Sequence, residues 1–201
     1  NFMSIFTGAG VAIVTPMNTD GSVNFDKLGE LIDFNINNGT DAIVICGTTG
    51  EGSTLTDEEH RAAIEFAVKR IDGKVPVIAG TGSNDTSYAV KLTKHACEVG
   101  VDGVLVVTPY YNKATQNGLI KLFTSIADIS TVPVILYNVP SRTGVNIAPK
   151  TVAALAEHPN INAIKEASGN ISQIAEIAAL CGDKINIYSG NDDQVIPIMS
   201  L

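Results

Sequence analysis

Lys165 is the residue in this chain best placed to do chemistry. It lies inside Ile161-Asn-Ala-Ile-Lys-Glu-Ala-Ser168, a run that otherwise has the composition of a buried strand. Strand alternation puts Ala163, Lys165 and Ala167 on one face, which leaves space beside the amine for a ligand. An amine withdrawn from water is less easily kept charged. Its pKa falls from ~10.4, and its lone pair becomes free to add to a carbonyl carbon. The alternative is a lysine at a strand end whose stem covers apolar surface while its head stays in solvent. The run alone leaves both open.

Tyr137 stands near the end of Val132-Pro-Val-Ile-Leu-Tyr-Asn-Val139, where a phenol can pass a proton to or from a substrate. A core tyrosine with a locally bonded hydroxyl is the plainer reading. The loop Gly47-Thr-Thr-Gly-Glu-Gly52 follows another apolar run. Its glycines allow a sharp turn that aims N–H groups at a carboxylate, and Thr48 and Thr49 add hydroxyls. Tyr110 and Tyr111 follow a further run, and Arg142 lies just beyond Tyr137, where a guanidinium can clamp a second carboxylate. The three histidines, His60, His95 and His158, sit in helical segments among charged residues, which predicts exposed surface. No HxH, HExxH, GxGxxG or GxxxxGK[ST] pattern points to a metal or a nucleotide, so acid–base work falls to Tyr, Lys and Thr.

These residues are carried by a regular series of elements. Apolar runs occur at Val11–Pro16, Ala42–Gly47, Val75–Gly80, Val104–Pro109, Val132–Val139, Ile161–Ala167 and Ile185–Ser189. Most are rich in Val and Ile without strict alternation, as in parallel strands covered on both faces. Amphipathic segments separate them. Thr56 and Glu59 make a capping box for a helix over Asp57–Ile71, and Gly39, Gly100 and Gly182 close others. The runs begin about 24–33 residues apart, the length of one βα unit. The fold class is therefore α/β, a (β/α)8 barrel, with a doubly wound sheet the alternative on periodicity alone. A complete barrel takes about 250 residues, so residues 1–201 are expected to form one barrel domain cut short after its seventh strand.

Composition narrows the partners. Thirteen Lys plus Arg against 21 Asp plus Glu give a formal net charge of −8, with no basic cluster and no Trp. That argues against nucleic acid. Cys46, Cys97 and Cys181 are odd in number, far apart and without a CxxC pair, as in reduced thiols of a cytoplasmic protein. Residues 1–19 carry no charge, but they lack a basic start and are broken by Gly8, Gly10 and Pro16, so they are not read as a signal peptide. Met3 is expected to mark the natural start. No stretch approaches the ~20 apolar residues of a membrane helix.

Four segments together resemble the dihydrodipicolinate synthase family of pyruvate-dependent class I aldolases, which includes N-acetylneuraminate lyase. They are Gly47–Gly52 with Glu59 after it, Thr108-Pro-Tyr-Tyr-Asn112, Tyr137-Asn-Val-Pro-Ser-Arg-Thr-Gly144 and Ile164-Lys-Glu-Ala-Ser-Gly-Asn170. The resemblance runs from about Phe6 to Leu201. It implies a (β/α)8 barrel condensing pyruvate with L-aspartate 4-semialdehyde to 4-hydroxy-tetrahydrodipicolinate, on the way to diaminopimelate and lysine. Lys165 then forms the Schiff base and Tyr137 is the general acid/base. Thr48 and Tyr111 complete a proton relay, with the tyrosine lent by a neighbouring subunit. Thr49 and Gly190 fall to substrate binding, and Arg142 to the semialdehyde carboxylate. No cofactor is implied, and the assembly is a homo-oligomer, either a dimer or a tetramer built from tight dimers.

The competing readings are a 2-keto-3-deoxy sugar acid aldolase, an N-acetylneuraminate lyase, an inactive fragment, or a non-covalent keto-acid sensor. Arg142 within Pro-Ser-Arg-Thr-Gly favours a short carboxylated aldehyde over a sugar. In the family's lysine-feedback pocket Asn84, His60 and Tyr110 match. Tyr88, Asp57 and Gly52 stand where lysine-inhibited members tend to carry Glu, His and Ser, so feedback is expected to be weak.

Overall fold

Each of the seven expected runs overlaps a strand, though the first does so only at Val11 and Ala12: β1 (Gly10–Ala12), β2 (Ala42–Ile45), β3 (Val77–Gly80), β4 (Gly103–Val107), β5 (Val134–Asn138), β6 (Ile161–Glu166) and β7 (Asn186–Ser189). The computed structural model describes residues 4–201, so Met3 lies outside the described residues. Each strand pairs in parallel with the next in chain order, giving one seven-stranded sheet. A doubly wound sheet reverses its strand order at a switch point, and this one never does. The architecture is that of a (β/α)8 barrel through seven of its strands. Among the described residues β1 and β7 do not pair with each other. The sheet nevertheless curls round. Phe6, just ahead of β1, stacks on Tyr188 of β7 with ring centroids 4.6 Å apart, and the Tyr188 hydroxyl donates to the Phe6 carbonyl at 2.7 Å.

The helices are α1 (Phe25–Asn37), α2 (Asp57–Ile71), α3 (Thr86–Val99), α4 (Gln116–Ile129), α5 (Pro140–Thr143), α6 (Pro149–Leu155), α7 (Ile171–Cys181) and α8 (Val195–Met199). The expected capping box opens α2. The Thr56 hydroxyl accepts the Glu59 N–H at 3.2 Å, and the Glu59 carboxylate accepts the Thr56 N–H at 3.0 Å. Gly100 ends α3 in the left-handed region (φ +89°), and Gly39 follows the end of α1 at φ +85°. Gly182 differs: it closes α7 at φ −65°, so that ending makes no use of glycine's conformational freedom. No helix among the described residues is long and apolar enough to cross a membrane. All three cysteines are unpaired.

Alternation along the strands divides the buried side chains into two layers. Ile43, Ile45, Val104, Val106, Val134, Leu136 and Ile164 face outward and pack under the helices, where Phe123 of α4 is fully buried. Val44, Ile78, Leu105, Ile135, Tyr137, Ala163 and Ala167 face inward and fill the barrel. The alternation of β6 is reset once. Val134 pairs with Ile161, and its neighbour Ile135 pairs with Ala163, so Asn162 is an extra residue in the strand. Ile161 joins the outer layer, and Ala163, Lys165 and Ala167 then face inward.

Candidate active site

In the β5–β6 ladder Tyr137 and Lys165 are direct partners, both at the carboxyl ends of their strands. A parallel pair in register brings their side chains together on the barrel interior. The Nζ of Lys165 stands over the Tyr137 ring, 4.5 Å from its centroid. Ala163 and Ala167 flank the lysine as expected. Gly190, just past β7, closes the other side, where a Cβ would lie 2.8 Å from Ala167 Cβ and 3.0 Å from Lys165 Cε. The Gly190 N–H is already given to the Glu166 carbonyl at 2.7 Å. What Gly190 contributes beside the amine is the room left by its missing side chain.

Both groups are shifted by their surroundings. Burial holds the Lys165 amine below its ordinary value, and the Asp192 charge opposes this more weakly. Among the described residues no carboxylate lies within salt-bridge distance of Lys165. The phenol of Tyr137, only 6% exposed, is pushed up by burial; the Thr48 hydroxyl facing it and the Arg142 charge pull the other way. The snorkelling alternative for Lys165 is not what the structure shows, since its amine lies over a buried ring.

Thr48 comes from the loop after β2, whose geometry differs from the expectation. None of Gly47, Gly50 and Gly52 has a positive φ. The left-handed positions are Cys46 and Glu51, both at φ +55°. The glycines serve close packing instead. A Cβ on Gly52 would sit 2.2 Å from the Cys46 carbonyl oxygen, and one on Gly80 of β3 would sit 2.3 Å from the same atom. Within the loop the Glu51 and Gly52 N–H groups are taken by the carbonyls of Thr48 and Gly47. The N–H groups of Thr48 and Thr49 make no hydrogen bond to the described residues and are available to a ligand.

Thr48, Tyr137 and Arg142 line one cavity of about 230 Å³, together with Tyr110, Cys46 and His60. Arg142 is exposed at the end of the short helix α5. Thr49 is exposed on the loop, and neither it nor Lys165 lines this cavity; Tyr137, a wall of the cavity, is the link to the amine. Tyr111 does not join the cavity of its own chain. It is 91% exposed at φ +70°.

The histidine expectation fails. His60 is 2% exposed, with Nε2 2.8 Å from the Gly80 carbonyl and Nδ1 unpartnered. His95 and His158 are mostly covered as well. A charged helix surface in the sequence hid an inward-facing position one turn along. Asn138 and Glu166, both fully buried, were also missed. Their signal was present: each is a polar residue directly after a site residue in an apolar strand.

An amine whose charged form burial disfavours, a buried phenol, a hydroxyl and unpaired N–H groups at the carboxyl ends of barrel strands can attack a carbonyl and shuttle its protons. Comparison with known proteins agrees. The model of the dihydrodipicolinate synthetase family matches residues 5–201. The chain belongs to the dihydrodipicolinate synthetase family. It is 62% identical to the 4-hydroxy-tetrahydrodipicolinate synthase of Lachnoclostridium phytofermentans, over 99% of this chain and 68% of that protein. The solved dihydrodipicolinate synthase of Aquifex aeolicus shares 52% identity at a TM-score of 0.94, covering 97% of this chain and 67% of that one. That of Acinetobacter baumannii, solved with pyruvate, shares 47% at a TM-score of 0.93, covering 98% and 67%. The chain thus spans about two thirds of the length of these members of the dihydrodipicolinate synthetase family.

A methyl group at position 190 would press on the Lys165 stem. Gly190→Ala is expected to slow reductive trapping of a small carbonyl compound on Lys165 by about tenfold or more, by analogy with other sub-ångström misplacements. Trapping by borohydride, followed by mass, checks this; an unchanged rate would show that the stem has room to move.

Proposed function

We propose that the chain condenses pyruvate with L-aspartate 4-semialdehyde to 4-hydroxy-tetrahydrodipicolinate, through an imine on Lys165, as a step toward diaminopimelate and lysine. The observation that carries this reading is the desolvated Lys165 amine over the Tyr137 ring, in a chain of this family.

The neutral amine adds to the ketone carbon of pyruvate. Tyr137 delivers a proton to the departing oxygen, which leaves as water, and a protonated imine remains. Its positive nitrogen draws electrons from the adjacent methyl group, which gives a proton to the phenolate and becomes an enamine. The enamine carbon attacks the aldehyde carbon of the second substrate, whose oxygen takes a proton. The amino group of that substrate then displaces Lys165 from the imine carbon, which closes the ring and restores the lysine.

Thr48 passes protons between Tyr137 and solvent. Thr49 and the free N–H groups of its loop hold the pyruvate carboxylate, and Gly190 leaves space for the adduct. Arg142, on the rim, receives the semialdehyde carboxylate. The exposure of Tyr111 supports its use by a second copy of the chain, in a homo-oligomer where it completes the neighbour's relay.

A side-by-side assay with aspartate semialdehyde and with glyceraldehyde separates this reading from a sugar acid aldolase. Turnover is expected with the semialdehyde. Arg142→Ala should raise its KM about tenfold or more, the usual cost of a lost hydrogen bond to a charged group. Turnover with the sugar aldehyde alone would overturn the assignment.

Because burial lowers the Lys165 pKa, the reactive form is present at lower pH than for a lysine in water. The rate of pyruvate trapping should rise with pH and reach half its limit below the ordinary ~10.4. A midpoint at the ordinary value would contradict the desolvated state.

Feedback by lysine is proposed to be weak. The Tyr88 phenol, pushed up to about 12 by burial and by the Asp57 charge, stands against Asp57. Millimolar lysine should leave the initial rate within about twofold, a loss smaller than ~0.4 kcal/mol of coupling; strong inhibition would refute this.

A further inference from the structure

We propose that Asn138 and Glu166 are positioning residues, a buried amide–carboxylate link behind the sheet that holds the Tyr137 phenol against the Lys165 amine. The inference rests on the Schiff-base reading of Lys165 and adds to it two residues that touch no substrate.

Each residue directly follows a site residue on its strand, so each points to the opposite face. They are themselves ladder partners, one step beyond Tyr137 and Lys165. The Asn138 Nδ2 donates to Glu166 Oε1 across the strand pair. The other carboxylate oxygen accepts the Ser168 hydroxyl at 2.5 Å, and the Gln173 amide of α7 approaches the same group. Asn138 is also tied to the segment that follows Arg142. Its Oδ1 accepts the Ile147 N–H at 3.0 Å, and its Nδ2 donates to Asn146 Oδ1 at 2.9 Å. One cluster therefore fastens together the strand ends bearing Tyr137 and Lys165 and the loop beyond Arg142.

Packing alone does not explain this cluster. Two residues earlier on the same faces the partners are Leu136 and Ile164, which fill the layer beneath the helices with apolar groups. A fully buried carboxylate is costly to desolvate, and apolar residues of similar size commonly replace such groups without loss of stability. Directional bonds supply what Leu and Ile do not: a fixed offset and tilt between two strands at the point where chemistry needs sub-ångström placement.

The test uses the intact protein and pyruvate with borohydride. Glu166→Gln keeps the volume but removes the charge and one of the two acceptor oxygens, so the Asn138 amide and the Ser168 hydroxyl no longer both donate to the same group. It is expected to slow adduct formation on Lys165 on the order of tenfold, while thermal unfolding changes little. Tyr137→Phe already removes the hydroxyl being positioned, so E166Q should cost several-fold less in that background. The double variant N138D/E166Q exchanges acceptor and donor across the link and should recover most of the lost rate. Should E166Q not fold, Ser168→Ala removes a single donor and is expected to slow trapping about threefold.

No adduct with the unsubstituted protein would remove the Schiff-base reading, and this inference with it. An adduct formed at equal rates with and without the substitution would remove this inference alone. So would equal losses from E166Q in the presence and absence of Tyr137→Phe, or an N138D/E166Q protein as slow as E166Q.

Discussion

The register between β5 and β6 is the constraint on which the rest depends. Two parallel strands pair so that Tyr137 and Lys165 are neighbours at their carboxyl ends, and the extra residue Asn162 determines which face of β6 the lysine takes. Had β6 alternated regularly from Ile161, positions 163 and 165 would face outward with Ile161, and the lysine would share a face with the apolar residues under the helices. With it, the longest cationic side chain on the strand enters the barrel between two alanines, against a glycine and over an aromatic ring. Burial then does the electrostatic work. It disfavours the ammonium and the phenolate alike, which shifts the pair toward an amine that can attack and a phenol that can donate.

The surrounding structure divides into parts that make this pair and parts that serve it. The loop after β2 brings Thr48 to the phenol by packing the Cys46 carbonyl against Gly52 and Gly80, where no side chain would fit. The left-handed strain falls on Cys46 and Glu51. The cavity beside Tyr137 extends to Arg142 at its mouth and to His60 and Cys46 at its depth, so one space joins the rim to the outer wall of β2 and β3. The acidic balance of the chain does not oppose the two carboxylates of the proposed substrates, because the groups proposed to meet them are local: one guanidinium, one amine and the free N–H groups of a loop.

Much of the fold was legible in the sequence because a parallel barrel writes the same βα unit repeatedly. All seven strands lie where apolar runs recur, and α2 begins at its capping box. The candidate site was legible only in part, as polar positions whose roles the family resemblance supplied. Lys165 and Tyr137 are polar interruptions of apolar strands, and alternation alone places Ala163 and Ala167 beside the amine. What stayed hidden depends on contacts between distant segments. The glycines of the 47–52 loop announced a turn, but whether each serves a positive φ or a close approach is decided by what packs against it. His60 lies in a charged helix, and its burial follows from the packing of α2 on β3, where its ring meets the Gly80 carbonyl. Asn138 and Glu166 stand one residue from the pair, yet nothing in the local pattern says that two strands will put them in contact.

The central claim is that a single desolvated amine forms the covalent bond. Incubation with pyruvate and borohydride, followed by digestion and peptide mass mapping, tests it most directly. The account predicts one reduced pyruvate adduct per chain, located on Lys165 and abolished by Lys165→Ala. An adduct spread over the exposed lysines, or one that persists at full yield without Lys165, would contradict it.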